Sequence, residues 1–151
     1  MELQWRRLFG ENGHEAGRDV LRALVGGELP EILLTPNGKP YFAGNMPHFS
    51  ISHTPNHVFC CVSDRNIGID AEEMDRRIDI RLAKRILSPS ELEKYDGTEA
   101  MLLKFWVLKE AYAKLTGRGL GNYLNETDFD PETVQIIDGC FVAVLEEDHA
   151  F

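Results

Sequence analysis

The chain has 151 residues, 43% of them hydrophobic and 27% charged, with a formal net charge of −9. That length suits one domain, or two small units sharing a core, and it buries roughly two thirds of the unfolded surface without a disulfide or metal staple. The composition excludes disorder as a default, and the acidic balance argues against a general nucleic-acid or anionic-membrane binder.

Residues 1–9 are polar and arginine-bearing and lack the apolar segment of a signal peptide. The spacing predicts a first helix over 15–25, with Val20, Leu21, Leu24 and Val25 buried and Gly26-Gly27 as its stop. Ile32-Leu33-Leu34 reads as a short strand, turned by Pro36-Asn37-Gly38 into an extended piece from Lys39 and Pro40 to Phe42. Residues 49–52 alternate as a half-buried strand and 58–62 as a more buried one. The turn at Pro55-Asn56 leaves Ser52 and His53 at a strand end. The run Val58-Phe59-Cys60-Cys61-Val62 is the longest apolar stretch and is too short to cross a membrane. With Cys140 it holds the three cysteines, whose odd count and irregular spacing argue for reduced packing residues and a cytoplasmic protein.

Residues 67–72 form a predicted strand whose even-numbered side chains share one side. A helix is expected over 81–87. Ser88 is the expected N-cap of the next, with Pro89 first and Glu91 third. The long helix, 99–116, ends at Gly117, and Gly119 and Gly121 then make a loop. Residues 134–137 and 141–145 pair as a hairpin through Asp138-Gly139. A loose symmetry, helix then glycine turn then paired strands, divides the chain into units 1–64 and 65–151.

Residues 76–85 carry five basic side chains against one acid. On a helix Arg77, Arg81, Lys84 and Arg85 line one side, opposite Ile78, Leu82 and Ile86. That is either a solvated face or a docking patch for an acidic partner.

On the long helix, Phe105, Leu108, Tyr112 and Leu115 make an apolar stripe, while Trp106, Glu110 and Lys114 line another face. Glu110 and Lys114 alone would be an ordinary ion pair of roughly 0.2–0.5 kcal/mol. The upstream pair Asp70 and Glu72 favours a different role. Both project from one side of a strand, and Gly68 admits another group close to its backbone. With Glu110 they supply three hard oxygen ligands, a magnesium-type set. Lys114 would then offset the charge of a metal-bound phosphate. Ser52 and His53 are either an anion-facing pair, hydroxyl beside imidazole, or a strand end at which His53 is simply exposed. A Ser-His-Asp hydrolase is excluded, because adjacent Ser52 and His53 point to opposite faces and no nucleophile elbow is present. Cys60, inside an apolar run, is a poor nucleophile.

Gly68-Ile69-Asp70-Ala71-Glu72 and Trp106-Val107-Leu108-Lys109-Glu110-Ala111-Tyr112-Ala113-Lys114, with Gly38-Lys39-Pro40 and Phe49-Ser50-Ile51-Ser52-His53, resemble the signature of the 4′-phosphopantetheinyl transferases of the surfactin-synthetase-associated type. The resemblance implies an α+β fold of two pseudo-twofold-related halves with the active site between them. It implies Mg²⁺-dependent transfer of the phosphopantetheine arm of coenzyme A to a serine of an apo acyl or peptidyl carrier protein, releasing adenosine 3′,5′-bisphosphate. By motif position Asp70, Glu72 and Glu110 would hold Mg²⁺, and Lys114 would contact the pyrophosphate. Ser52 and His53 would hold the 3′-phosphate, and Lys39 and Pro40 would flank the adenosine. Glu110, with Lys114 beside it, is the catalytic candidate, taking the serine proton. Arg76, Arg77, Arg81, Lys84 and Arg85 become the carrier-docking candidates, and a monomer is expected. Two alternatives use the same residues: a relative that binds coenzyme A or a carrier without turnover, and a Mg²⁺-dependent phosphohydrolase.

Overall fold

The computed structural model describes residues 1–148, without the side chains of 122 and 123; the last three residues of the expected second unit, 149–151, lie outside the described residues. The fold is α+β. Strand β1 (Glu2–Arg7) is followed by helix α1 (Gly13–Val25), strands β2 (Ile32–Leu34), β3 (Pro40–Phe42), β4 (His48–His53), β5 (His57–Ser63) and β6 (Ile67–Glu73). Then come the short helices α2 (Ala83–Ile86) and α3 (Pro89–Lys94), the long helix α4 (Glu99–Thr116), and strands β7 (Gln135–Ile137) and β8 (Cys140–Glu146). One antiparallel sheet has the order β1-β5-β4, a second β6-β8-β7, and β2 and β3 form a separate hairpin. No described helix is long and apolar enough to cross a membrane.

Helix α1 covers one face of the first sheet, burying Ala16, Val20 and Leu21 against Val58, Cys60 and Phe49. The other face of that sheet, through Phe59 and Cys61, meets Ile67, Ile69 and Ala71 of β6 and Cys140 and Val142 of β8. Period-two alternation leaves Gly68, Asp70 and Glu72 on the opposite face of β6, where α4 packs. A methyl group on Gly68 would stand 2.2 Å from the Ala111 carbonyl oxygen and 2.6 Å from the Leu115 nitrogen. The close approach expected at Gly68 is therefore made by the helix backbone itself.

The two sheets meet along β4 and β6 without backbone pairing. Instead Ser50 Oγ accepts the Ile69 N–H and Ser52 Oγ accepts the Ala71 N–H, each at 3.0 Å. Two hydroxyls thus satisfy donors that a sheet edge would otherwise leave buried and unpaired. A polar clasp closes the far end of this seam. Arg7 and His57 both donate to Asp138, at 2.7 and 2.8 Å. Glu73 accepts from Thr54 Oγ1 and from both the backbone and side-chain amides of Asn56, each at 3.0 Å. The hydrogen bond from Arg7, joined by one from His57, holds the Asp138 carboxyl well below the ordinary carboxylate range.

Several expectations need correction. Residues 2–7 form an edge strand, whose apolar signal amounts to Leu3 and Trp5. Helix α1 begins at Gly13, because Asn12 accepts the Glu15 N–H as its N-cap, and Leu24 and Val25 are only half-buried. Residues 76–79 are not helical; Asp79 caps a 3-10 turn (Ile80–Leu82) that leads into α2. Leu82 is accordingly exposed rather than packed beside Ile86. Gly121, expected in a loop with Gly119, instead opens a 3-10 turn (Gly121–Glu126). Helix α4 is buried on more than one stripe, since Leu102, Leu103, Val107 and Ala111 join Phe105 and Leu108. Ser88 caps α3 in a full capping box with Glu91, as expected.

Gly68→Ala should destabilise the protein by about 3 kcal/mol, since rigid helix backbone cannot give way as a side chain can. Urea denaturation checks this, and a loss below about 0.5 kcal/mol would contradict the packing.

Candidate functional site

Between α1, β4 and the C-terminal turns of α4 lies a cleft of about 400 Å³. His14 and Arg18 reach it from α1, Ile51 and His53 from β4, Lys39 and Pro40 from the hairpin, and Glu110 and Lys114 from α4. Five of the sequence-predicted residues therefore line one cavity: Lys39, Pro40, His53, Glu110 and Lys114. Asp70, Glu72 and Ser52 do not line it; Asp70 meets Lys114 from behind, and Ser52 meets Asp70.

Lys114 links the cleft to the residues behind it. Its ammonium donates to Asp70 Oδ1 and to the Ile51 carbonyl oxygen, each at 3.2 Å. The ion pair therefore crosses from helix to strand, in place of the Glu110–Lys114 pair along the helix that spacing allows. Ser52 is buried, donating to Asp70 Oδ1 at 3.4 Å while accepting from β6. Glu72 pairs with Arg76. Among the described residues no three His, Cys, Asp or Glu side chains stand close enough as they are to hold a metal ion, because Asp70 is drawn to Lys114 and Glu72 to Arg76.

The electrostatics still fit a cation. Burial pushes the Asp70 carboxyl up to about 7; Lys114 opposes this, and the charges of Glu110 and Glu72 add to it. Burial also raises Glu110 and Glu72. Asp70 Oδ2 is buried with no hydrogen-bond partner, a costly state for a carboxylate oxygen. Three crowded, desolvated carboxyls with an orphaned oxygen make a donor set suited to a hard divalent ion.

Two other motif lysines are held elsewhere. Lys39 donates to Asn66 Oδ1 at 2.6 Å and to the Leu115 carbonyl oxygen at 2.8 Å, so its ammonium tethers the hairpin to the end of α4; burial lowers its pKa. Lys109 is 2% exposed and pairs at 2.6 Å with Glu91, which also accepts the Ser88 and Phe129 N–H groups. Lys109 thus ties α4 to the capping box of α3.

The basic segment is divided. Arg76, Arg77 and Arg81 are engaged by Glu72, Glu99 and Asp79, and only Lys84 and Arg85 lie on the short helix α2, both exposed. They border a depression that also takes in Leu124 and Asn125. Sequence reasoning missed His14 as a cleft residue; its i, i+4 spacing with Arg18 on α1 was the available signal.

The family model for the 4′-phosphopantetheinyl transferase superfamily matches residues 66–142. The chain is 34% identical over 122 residues to the 4′-phosphopantetheinyl transferase HetI of Nostoc sp. strain PCC 7120, covering 70% of this chain and 52% of that one. It is 31% identical over 129 residues to a 4′-phosphopantetheinyl transferase of Bacillus subtilis, covering 76% and 57%. With psf-1, a 4′-phosphopantetheinyl transferase of Bacillus pumilus, it shares 37% over 91 residues, 56% and 38%. The chain spans about half the length of the curated relatives it matches.

Lys109→Met should cost about 3–5 kcal/mol by leaving Glu91 charged and unpaired in the interior. A urea denaturation midpoint equal to that of the unsubstituted protein would remove this structural role.

Proposed function

The chain belongs to the 4′-phosphopantetheinyl transferase superfamily, and on that premise we propose that it transfers the phosphopantetheine arm of coenzyme A to a serine of an apo carrier protein. The observation that carries this reading is the charge arrangement at one end of the cleft. Lys114 bridges to Asp70, and the charges of Glu72 and Glu110 act on the same buried carboxyl. Asp70, Glu72 and Glu110 would hold Mg²⁺, which when bound neutralises the pyrophosphate and polarises its oxygens. The two units, each a helix on a three-stranded antiparallel sheet, would be the pseudo-twofold halves, with coenzyme A lying between them.

Within the cleft the chain's own groups divide the work. Lys114 stabilises the pyrophosphate oxygens as charge builds on them. His53 and the hairpin residues Lys39, through its aliphatic stem, and Pro40 hold the adenosine end. Ser52 acts from beneath, keeping Asp70 and β6 in place. The serine oxygen of the carrier forms the new P–O bond as the pyrophosphate P–O bond breaks, and adenosine 3′,5′-bisphosphate leaves. Glu110 takes the serine proton; its burial raises its pKa, which brings the carboxylate nearer the strength a general base needs at neutral pH. One copy carries every residue this requires, so we read the active protein as a monomer.

The carrier would dock beside α2. Among the described residues Lys84 and Arg85 have no ion-pair partner, and they lie next to exposed Ile80 and Leu82, which suits an acidic partner with apolar side chains at its surface.

Incubation with coenzyme A, Mg²⁺ and apo carrier proteins should give modified carrier by mass spectrometry. Glu110→Gln should lower kcat by roughly 10²–10³-fold, in the range of losing one pre-organised catalytic group, with an unchanged thermal midpoint. Absence of modification across acyl and peptidyl carriers would sink the transferase reading, and product formed without a carrier would establish a phosphohydrolase instead. The pair Lys84→Glu/Arg85→Glu should raise the carrier KM about tenfold and leave the coenzyme A KM alone; an unchanged carrier KM would remove the docking surface.

A further inference from the structure

The hairpin of β2 and β3 belongs to neither three-stranded sheet, and two such short strands are marginal as a free unit. Phe42 anchors its open end, buried against Phe49 with ring centroids 4.5 Å apart. The turn end is different, with Leu34 65% exposed and Asn37 and Gly38 exposed beside it. Yet this turn forms one lip of the cleft, through Asn37, Gly38, Lys39 and Pro40.

Polar contacts hold the turn instead. Within it, Thr35 Oγ1 accepts the Lys39 N–H at 3.0 Å, and the Thr35 N–H donates to the Lys39 carbonyl oxygen at 2.9 Å. Outward, the Lys39 ammonium donates to Asn66 Oδ1 and to the Leu115 carbonyl oxygen. Asn66 Nδ2 donates to the same Leu115 oxygen at 2.7 Å, while Asn66 Oδ1 also accepts the Ile67 N–H at 3.1 Å. An ammonium can only donate, which fixes the orientation of the Asn66 amide. The Leu115 carbonyl lies in the last turn of α4, where oxygens look outside the helix for donors and a cation meets the negative end of the helix dipole. Gly117, on the opposite lip, rests on the Lys39 stem, since an added Cβ would stand 3.4 Å from Lys39 Cδ. Asn66 borders a separate depression, with Tyr112 and Phe129.

Resting on the transferase reading, we infer that Asn66 and Lys39 form a positioning pair for the nucleotide end of the substrate. They pin the turn of the hairpin to the end of α4, so that the lip of the cleft is ordered before coenzyme A arrives. A lip already in place removes the entropy of ordering it from the cost of binding. Binding of this uniform kind acts on KM and leaves kcat alone. Lys114 is held separately, by Asp70 and the Ile51 carbonyl.

Calorimetric titration with coenzyme A, together with steady-state kinetics, tests the pair. Lys39→Met leaves the Leu115 oxygen with the Asn66 amide and Asn66 Oδ1 with the Ile67 N–H, so no acceptor is orphaned and the fold should persist. Lys39→Met and Asn66→Ala should each weaken coenzyme A binding about tenfold, raise its KM in proportion and leave kcat within about twofold. The double variant should be no worse than Lys39→Met by more than about twofold, because either change alone opens the same tie. Amides of residues 32–42 should exchange with solvent about tenfold faster in Lys39→Met, while those of α4 keep their protection. Unchanged coenzyme A affinity in Asn66→Ala, effects that multiply in the double variant, or unchanged exchange over 32–42 would overturn the positioning pair. The transferase reading survives any of these if the unsubstituted protein modifies its carrier. An unsubstituted protein that neither binds coenzyme A nor modifies a carrier would overturn both.

Discussion

The contact between the backbone of α4 and Gly68 of β6 sets the geometry of everything around the cleft. With no Cβ at Gly68, the helix settles at a depth where its own carbonyl and amide groups touch the strand. Asp70 and Glu72 follow Gly68 on the same face of β6. Glu110 and Lys114 are one helical turn apart on α4. Any side chain at position 68 would lift the helix, and with it the ammonium that reaches Asp70. Rigid backbone-to-backbone packing is a sound basis for placing catalytic groups, because a flexible side chain cannot absorb an error in it.

The second constraint is the seam between the sheets. Two serines stand in for the carbonyls of a missing strand, and one of them, Ser52, also reaches Asp70. The hydrogen bond that joins the sheets therefore bears on the carboxyl that the proposed chemistry needs. At the other end Arg7, His57, Asp138 and Glu73 close the seam with charged hydrogen bonds. The cleft lies along this joint, so its walls are set by contacts made far from its opening. Desolvation by the same packing raises the carboxyls of Asp70, Glu72 and Glu110, the groups that the proposed divalent cation would meet.

Much of this was legible in the sequence, though unevenly. The shared face of Glu110 and Lys114, the shared side of Asp70 and Glu72 on their strand, the glycine for close approach and the Ser88–Glu91 capping box all follow from local periodicity, which a single chain records well. Strand β1 was not legible, because an edge strand with one charged face leaves only Leu3 and Trp5 as a signal. The basic segment misled because counting charges on an assumed helix ignored Asp79, whose capping role starts the turn after Arg76 and Arg77 have already passed. Partners distant in sequence were also hidden. Lys109 with Glu91, Lys39 with Leu115 and Arg7 with Asp138 are settled by tertiary packing, and no spacing rule announces them. As a result, the motif lysines look equivalent in sequence, whereas in the fold Lys109 and Lys39 are structural ties and Lys114 faces the cleft.

The account depends most on Asp70, Glu72 and Glu110 acting together as the ligands of one divalent ion. Electron paramagnetic resonance of Mn²⁺, titrated into the protein with coenzyme A present, reads this directly. The account predicts that the unsubstituted protein removes about one equivalent of the free-ion signal, and that Asp70→Asn and Glu110→Gln each weaken this binding at least tenfold while remaining folded. Equal Mn²⁺ binding by all three proteins would contradict it.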